Sequence, residues 1–416
     1  MNPQHVVVIG AGAIGTASSW YLAKAGWSVT LIDKDRQGRG ATSGNCGLYS
    51  PSHAMPLAVP GAVRETLHSF FRTTSPLSIR PRIDLRLWAW LLRFARRCNR
   101  EDMLAAAPGR DALIRSSGEL FRQLREEEGL TCEWKDTGCL MIYEEERGLE
   151  AHGTKAALLH ELFGIQARRL DAVALEEFEP ALLPGSTAGA WFYEGDCHMR
   201  PEAMLESWRE LLVREGVEIL ESREALGFER DGRRATALRT DGGLLEADAF
   251  VLATGAWAPM LEKEIGVSIP IQPGKGYSIT MPLPAIAPRR PCIFEEAKVV
   301  ATPFDKGYRL GSTMEFAGYD NTLRRGRLAL LEKAARRYLR DPLTEPREEE
   351  WYGWRPMTYD GKPILDRSPR LQNLLVAAGH SMLGLTMAPA TGKLVAEMLS
   401  ETTPHVDITA YSLSRF

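Results

Sequence analysis

The sequence is short of the features that mark several large protein classes. Its 416 residues carry 51 Lys and Arg against 54 Asp and Glu, for a net charge of −3. There is no basic excess to draw a polyanion, so no nucleic-acid partner is expected. Cysteine is scarce: Cys46, Cys98, Cys132, Cys139, Cys197 and Cys292, with no CxxC pair among them. In a chain of this length that pattern argues against a disulfide framework and reads as reduced thiols in a cytoplasmic compartment. The eight histidines are scattered, with no HxxxH pair, so no metal site is expected. Long apolar runs are also missing. None approaches the about 20 residues that span a bilayer. The first run, Val6–Ile9, meets glycines too soon to be the core of a secretory signal. Internal repeats and low-complexity tracts are not found.

What is present is the composition of a globular protein, 44% hydrophobic and 25% charged, in a chain too long for one ordinary core. Two domains are expected. The β-branched run Val6–Ile9 reads as a buried strand, Thr16–Lys24 as a helix capped near Gly26, and Val29–Ile32 as a second strand ending at Asp33. That is a βαβ start with parallel strands. Pro51, Pro56, Pro60 and Pro76 then break the chain into loops. Helical patterns follow over 84–97, 113–128 and 154–163. A second βα step begins near Ala188, with a strand at Gly189–Tyr193 and a helix led by Pro201. Strands are expected at 217–220, 250–253 and 374–377, and Asp231-Gly232 and Asp241-Gly242 mark the turns of a small antiparallel meander. Helices are expected at 323–339 and from about Thr386 to Leu399.

Between the first strand and helix stands Gly10-Ala11-Gly12-Ala13-Ile14-Gly15. Gly10 permits a tight turn, Gly12 lets the backbone approach a pyrophosphate, and Gly15 lets helix and strand pack closely. The helix N-terminus offers N–H donors to the phosphates. Asp33 is placed to accept from a ribose hydroxyl. The combination predicts a bound dinucleotide, without deciding which.

Three further segments narrow the choice. They are Ala41-Thr42-Ser43-Gly44-Asn45-Cys46-Gly47 with Ser50-Pro51, Val251-Leu252-Ala253-Thr254-Gly255-Ala256-Trp257, and Gly353-Trp354-Arg355-Pro356-Met357-Thr358-Tyr359-Asp360-Gly361 continuing to Ala378-Gly379-His380-Ser381-Met382-Leu383-Gly384-Leu385-Thr386. With the fingerprint they resemble the FAD-dependent family of D-amino acid oxidases and dehydrogenases, glycine oxidase and sarcosine oxidase. The likeness spans nearly the whole chain and is weakest over 100–185. Asp33 stands where many relatives have Glu. The Asn45-x-Gly47…Ser50-Pro51 pattern and the lead-in Pro56…Pro60-Gly61 look closest to bacterial D-amino acid dehydrogenases, including those acting on cyclic D-amino acids such as hydroxyproline.

The resemblance implies an α/β fold: a discontinuous Rossmann-type FAD-binding domain (1–50, 187–262 and 352–416) and a second, mixed-sheet α+β substrate domain (51–186 and 263–351). It implies a cofactor-binding set of Gly10, Gly12, Ala13, Ile14, Gly15, Asp33, Lys34, Thr42, Ser43, Asn45, Cys46, Gly47, Val217, Thr254, Gly255, Trp257, Gly379, His380, Met382, Gly384, Leu385 and Thr386. Some relatives hold flavin through a cysteine just before the arginine-bearing segment. Trp351-Tyr352-Gly353-Trp354 has none, which implies non-covalent FAD. The last helix can aim its N-terminal N–H groups at the flavin's pyrimidine edge, where reduction places negative charge.

Arg355 resembles the arginine that holds the substrate carboxylate in the family, and a guanidinium fork suits that task. Tyr277 resembles a position near the pocket, with Tyr308 a weaker alternative. His53 is a further candidate for substrate contact. His380 is expected to meet the flavin through its backbone. The implied reaction is oxidative deamination of a small amino acid, by hydride transfer from the α-carbon to flavin. The electron acceptor would be a quinone or oxygen. The competing readings are a glycine- or sarcosine-type oxidase using oxygen, an NAD-dependent dehydrogenase, and a flavin-binding electron-transfer subunit of a larger amine dehydrogenase complex. The stretch Leu85–Arg97 mixes aromatics with arginines. It suits a core-facing helix with a basic outer face and also peripheral contact with the inner face of an anionic membrane.

Overall fold

The computed structural model describes residues 3–36, 40–64, 75–80 and 82–416. The β-branched run forms the strand His5–Ile9, buried along Val6–Ile9, and it leads through the glycines into helix Ala13–Lys24. Around this strand lies a six-stranded sheet in the order Ile364–Arg367, Leu374–Ala378, Ala249–Leu252, His5–Ile9, Ser28–Ile32, Glu218–Leu220. Five strands are parallel and the edge strand Ile364–Arg367 is antiparallel. The register sets Val6 beside Val29 and Ala249, and Val8 beside Leu31 and Val251. The sheet is therefore apolar on both faces, as a parallel sheet covered on both sides requires.

One face is covered by Ala13–Lys24 and Gly384–Leu399, which touch backbone to backbone. A Cβ at Gly392 would lie 2.5 Å from the Ala17 carbonyl carbon, so glycine is needed there. Helix Arg100–Glu126 packs behind them, and Ser117 Oγ accepts from Ala390 N at 3.1 Å. This helix starts earlier than the sequence pattern predicts. Pro108 lies inside it, and its apolar face continues on both sides through Met103, Ala107, Leu113 and Ile114. Burial of that face outweighs the hydrogen bond that the proline removes.

The second sheet has nine strands. Its main path runs Glu349–Thr358, Ile271–Met281, Tyr308–Phe316, Val299–Pro303, Cys292–Phe294, Cys139–Tyr143, Gly189–Tyr193, Arg168–Asp171, with Leu77–Ile79 added beside Tyr308–Phe316. It is mixed, with parallel pairing at Cys292–Phe294 against Cys139–Tyr143. Two strands depart from the expected division. Gly189–Tyr193 does not open a step of the nucleotide sheet; it pairs antiparallel with Cys139–Tyr143 and Arg168–Asp171. Glu349–Thr358 runs unbroken across the boundary expected at 352. A short apolar run does not encode its partner, so sheet membership was decided by tertiary packing. The meander appears as the three strands Ala225–Asp231, Arg234–Thr240 and Gly243–Glu246. Among the described residues no helix is long and apolar enough to cross a membrane.

Candidate active site

A cavity of about 1810 Å³ runs between the two sheets, from Gly12 and Asp33 past Cys46 to Arg355 and Met382. Its first end is the fingerprint. Gly10 takes φ +103° and donates from its N–H to Ile32 O at 2.8 Å, a turn that a Cβ would block by lying 2.7 Å from Ala253 O. Gly15 fits against Gly10, where a Cβ would sit 1.7 Å from the carbonyl oxygen. Gly12 differs: a Cβ there would meet only Thr42 Oγ1, at 3.5 Å, so its exposed side faces the cavity. Gly12 caps the helix Ala13–Lys24 without a side-chain bond, and Ala13 N donates to Thr42 Oγ1 at 3.1 Å. Asp33 lines the cavity and accepts from Ala11 N at 2.7 Å and Asp35 N at 3.0 Å. Burial pushes its carboxyl above the usual range, against those two hydrogen bonds. Lys34 holds its ammonium 3.4 Å over the Trp257 ring.

The loop 42–47 crosses the cavity. Asn45 Oδ1 accepts from Gly47 N at 2.8 Å, and Gly47 takes φ +75° with Met199 O close by. A fully buried arginine that sequence reasoning did not single out, Arg309, fixes this loop. It donates to the carbonyls of Ser43 and Asn45 at 2.8 and 2.7 Å and pairs with Glu202. Arg110, also missed, clamps the next segment by donating to Ala54 O, His53 O and Gly361 O. Burial lowers its pKa to about 10. Arg110 lies before the helix expected over 113–128, so no sequence signal marked it.

The far walls come from the other motifs. Thr254, Gly255 and Trp257 line the cavity at the end of Ala249–Leu252. His380, Met382, Gly384 and Leu385 line it where Leu374–Ala378 gives way to helix Gly384–Leu399, whose N-terminus has no side-chain cap. Ser381 takes φ +53°, an uncommon conformation for a residue with a Cβ. The His380 ring turns away into the helix, with Nε2 3.0 Å from Thr391 Oγ1, and burial lowers its pKa to about 3. Gly15, Ser43, Gly47, Gly379 and Thr386 do not line the cavity; Thr386 Oγ1, for instance, is turned to donate to Leu48 O at 3.0 Å. Val217 does not reach the cavity. It is buried beneath helix Pro201–Arg214 and donates to Leu212 O, because helix packing claims it just before the strand begins.

Arg355 stands on the cavity wall in strand Glu349–Thr358. Among the described residues its hydrogen-bond partner is Thr313 O, at 2.7 Å from Nη1. Burial lowers its pKa, but it stays a cation. The two tyrosines lie away from the cavity, contrary to expectation. Arg355 pairs with Gly274 across the strands, and the guanidinium lies over Gly276, where a Cβ would sit 2.6 Å from Arg355 Cζ. The next residue, Tyr277, therefore points to the opposite face. It is packed in the core under helix Arg325–Tyr338, with its hydroxyl donating to Glu315 Oε2 at 2.7 Å. Tyr308 is fully buried in the same core. Neither lines the cavity. His53 does, at the end of the short 3-10 turn Pro51–His53.

Several buried polar atoms on this wall lack a partner among the described residues: Thr254 Oγ1, Thr313 Oγ1, Ser381 Oγ and Trp351 Nε1. Each such atom costs roughly 1–3 kcal/mol when left unpaired. A long ligand rich in heteroatoms would satisfy them. An open fingerprint, a helix N-terminus at each end and orphaned polar atoms between them make this a dinucleotide-binding protein.

The family model described as FAD dependent oxidoreductase matches residues 5–398. The chain belongs to that family, and its cofactor is FAD. It is 30% identical to the D-amino acid dehydrogenase of Granulibacter bethesdensis, with 99% of both chains covered. It is 31% identical to that of Bradyrhizobium diazoefficiens, over 99% of this chain and 98% of the other. Glycine oxidase from Geobacillus kaustophilus has a similar fold, with a TM-score of 0.80 at 22% identity and 99% of both chains covered.

Proposed function

We propose that this chain oxidises the C–N bond of a small D-amino acid, as its curated relatives are named for doing, with D-proline and hydroxy-D-proline within its range. The observation that carries the reading is Arg355: a cation on the cavity wall, anchored at one N–H by Thr313 O and with no other hydrogen-bond partner among the described residues. A guanidinium so held binds a carboxylate bidentately and sets the angle of the α-carbon. Bound FAD supplies the acceptor for the hydride that leaves that carbon. Residues Met55, Leu91, Phe94 and Met382 make the neighbouring wall apolar and exclude water from the reacting centre. The uncapped N-terminus of Gly384–Leu399 stabilises negative charge that develops beside it. In this reading 1–50, 187–262 and 352–416 hold the cofactor, apart from the strand Gly189–Tyr193, and 51–186 with 263–351 shape the substrate side.

A quinone is the proposed electron acceptor, ahead of oxygen. Supporting this is the outer face of helix Leu85–Arg97, where exposed Leu85, Trp88 and Leu92 stand beside Arg86, Arg93 and Arg96. Such a face suits an anionic membrane surface. The deciding experiment is anaerobic bleaching of the bound flavin by a panel of D- and L-amino acids, glycine, sarcosine and D-proline analogues, followed by reoxidation with quinone dyes or oxygen. Bleaching by D-enantiomers and faster reoxidation by dye are expected. Rapid peroxide formation from glycine or sarcosine would establish an oxidase instead.

A further inference from the structure

A hydrogen-bonded chain leads from the buried Asp196 through Ser52 to His53 on the cavity wall. Asp196 lies in the turn between Gly189–Tyr193 and Cys197–His198 and is 1% exposed. It accepts twice from Ser52: from N to Oδ1 at 3.0 Å and from the hydroxyl to Oδ2 at 2.6 Å. Ser52 Oγ is in turn 3.0 Å from His53 Nδ1. The hydroxyl has one proton, and the carboxylate takes it. Towards His53 the oxygen can therefore only accept, which requires Nδ1 to carry the ring proton. Nε2 is left as a lone pair. Among the described residues none bonds it, and the ring lines the cavity close to Met382 and Leu383.

A bound amino acid brings a nitrogen with N–H donors beside its carboxylate. If Arg355 holds the carboxylate, the nitrogen needs an acceptor. Several cavity carboxylates are engaged elsewhere: Asp33 by Ala11 N and Asp35 N, Glu144 by Tyr338 and Arg337, Glu295 by Lys298 at 2.7 Å, and Glu296 by Glu144 N and Glu145 N. We propose that Asp196 and Ser52 are positioning residues that fix the His53 tautomer, and that His53 Nε2 accepts the hydrogen bond of the substrate's amine nitrogen. This rests on the functional reading above.

The charges around the chain fit this role. Burial lowers the His53 pKa to about 3, with Lys155, Arg110 and Lys298 adding to the effect and Glu295 opposing it, so the ring stays neutral and does not repel an ammonium. Burial raises Asp196 to about 7, against its Ser52 bonds and Lys155. The other titratable groups that feel it, Tyr49, Tyr193, Cys139 and Cys197, are all pushed upward by burial and stay neutral near that pH. Once Asp196 is protonated at Oδ2, the chain reverses. The acid donates to Ser52 Oγ, the hydroxyl donates to Nδ1, and Nε2 becomes an N–H aimed at the substrate nitrogen.

The test uses the FAD-loaded enzyme, with kcat/KM against pH and the ¹⁵N shifts of the His53 ring as separate readouts. Wild type should lose kcat/KM as pH falls through about 7, the value to which burial raises Asp196, and should show Nδ1–H above it. Asp196→Asn turns the chain permanently, because its amide donates to Ser52. It should show Nε2–H at all pH and lose on the order of 10²–10⁴-fold in kcat/KM, as wrong-tautomer variants do, with normal FAD content. His53→Gln keeps an acceptor oxygen and has no tautomer to reverse, so its kcat/KM should be lowered but should no longer show the limb near pH 7. An Asp196→Asn enzyme with wild-type kinetics, or with the wild-type tautomer, overturns the assignment while the functional reading stands. Failure of every amino acid to bleach wild-type flavin overturns both.

Discussion

Arg355 Nη1 donates to the carbonyl oxygen of Thr313 over 2.7 Å, and Thr313 holds φ at +50° to present it. Its neighbour Ser312 is at φ +100°. Two successive non-glycine residues in the left-handed region, one of them β-branched, cost on the order of 1–3 kcal/mol each. They break the regular course of strand Tyr308–Phe316 beside the cavity and turn a backbone acceptor onto Arg355 on its wall.

Arg355→Ala should therefore lower kcat/KM by roughly 30- to several-thousand-fold, the about 2–5 kcal/mol expected for truncating one partner of a buried charge pair. FAD content should stay near normal. Arg355→Lys should also be severe, since the charge survives and the fork does not. Steady-state kinetics with an amino acid and with the matching amine lacking a carboxylate check this. Equal losses for both substrates would reject the carboxylate role.

Two of the three fingerprint glycines, Gly12 and Gly15, should separate cofactor binding from folding. A side chain at Gly12 meets only Thr42 Oγ1, at 3.5 Å, yet occupies the space open to a pyrophosphate. Gly12→Val should give a folded protein without FAD. At Gly15 even a Cβ would lie 1.7 Å from Gly10 O, so Gly15→Val should fail to fold. Circular dichroism and flavin absorbance on both variants decide. A Gly12→Val enzyme with full flavin would show that the pyrophosphate lies elsewhere.

Acid or heat should release the FAD from the denatured chain, and the supernatant should carry all of the yellow colour. Cys46 is the one cysteine on the described cavity wall, and burial raises its thiol pKa despite the nearby Arg355 and Arg309, so it is a poor nucleophile. Cys46→Ala should leave the flavin content unchanged. Flavin retained by denatured wild type, and lost from the variant, would establish a covalent link.

The buried histidines make the fold sensitive to acid. His380 and His53 are each lowered to about 3 by burial, below the about 6.5 of an unfolded chain. Their contribution is complete above that unfolded value and is lost as pH falls towards the folded one. The melting temperature should drop below about pH 6.5. His380→Gln should make the decline shallower by up to about 1.4 kcal/mol per pH unit. Thermal melts across pH 4–8, roughly the range over which these groups change charge, test this, and an unchanged slope in the variant would rule out His380 as a source.

The fingerprint was legible in the sequence because its chemistry is local. Gly10, Gly12 and Gly15 answer to contacts made within one βαβ unit, and a strand, a helix and Asp33 stood at the right spacing around them. The cavity-facing residues Thr42, Thr254, Met382 and Arg355 were reached through the likeness of short segments to a known family. What those segments do not contain was decided by tertiary structure. Tyr277 lost its place in the site because side chains alternate along a strand, and pairing of Gly274 with Arg355 gave the cavity face to Gly276. Gly189–Tyr193 joined the second sheet because its apolar run fits either, and Cys139–Tyr143 was the neighbour at hand. Arg309 reaches the carbonyl of Ser43 from 266 positions away, and Asp196 reaches Ser52 from 144. Hydrogen bonds between residues so far apart leave no local pattern, since each partner alone is an ordinary arginine, serine or aspartate until the chain folds and removes them from water.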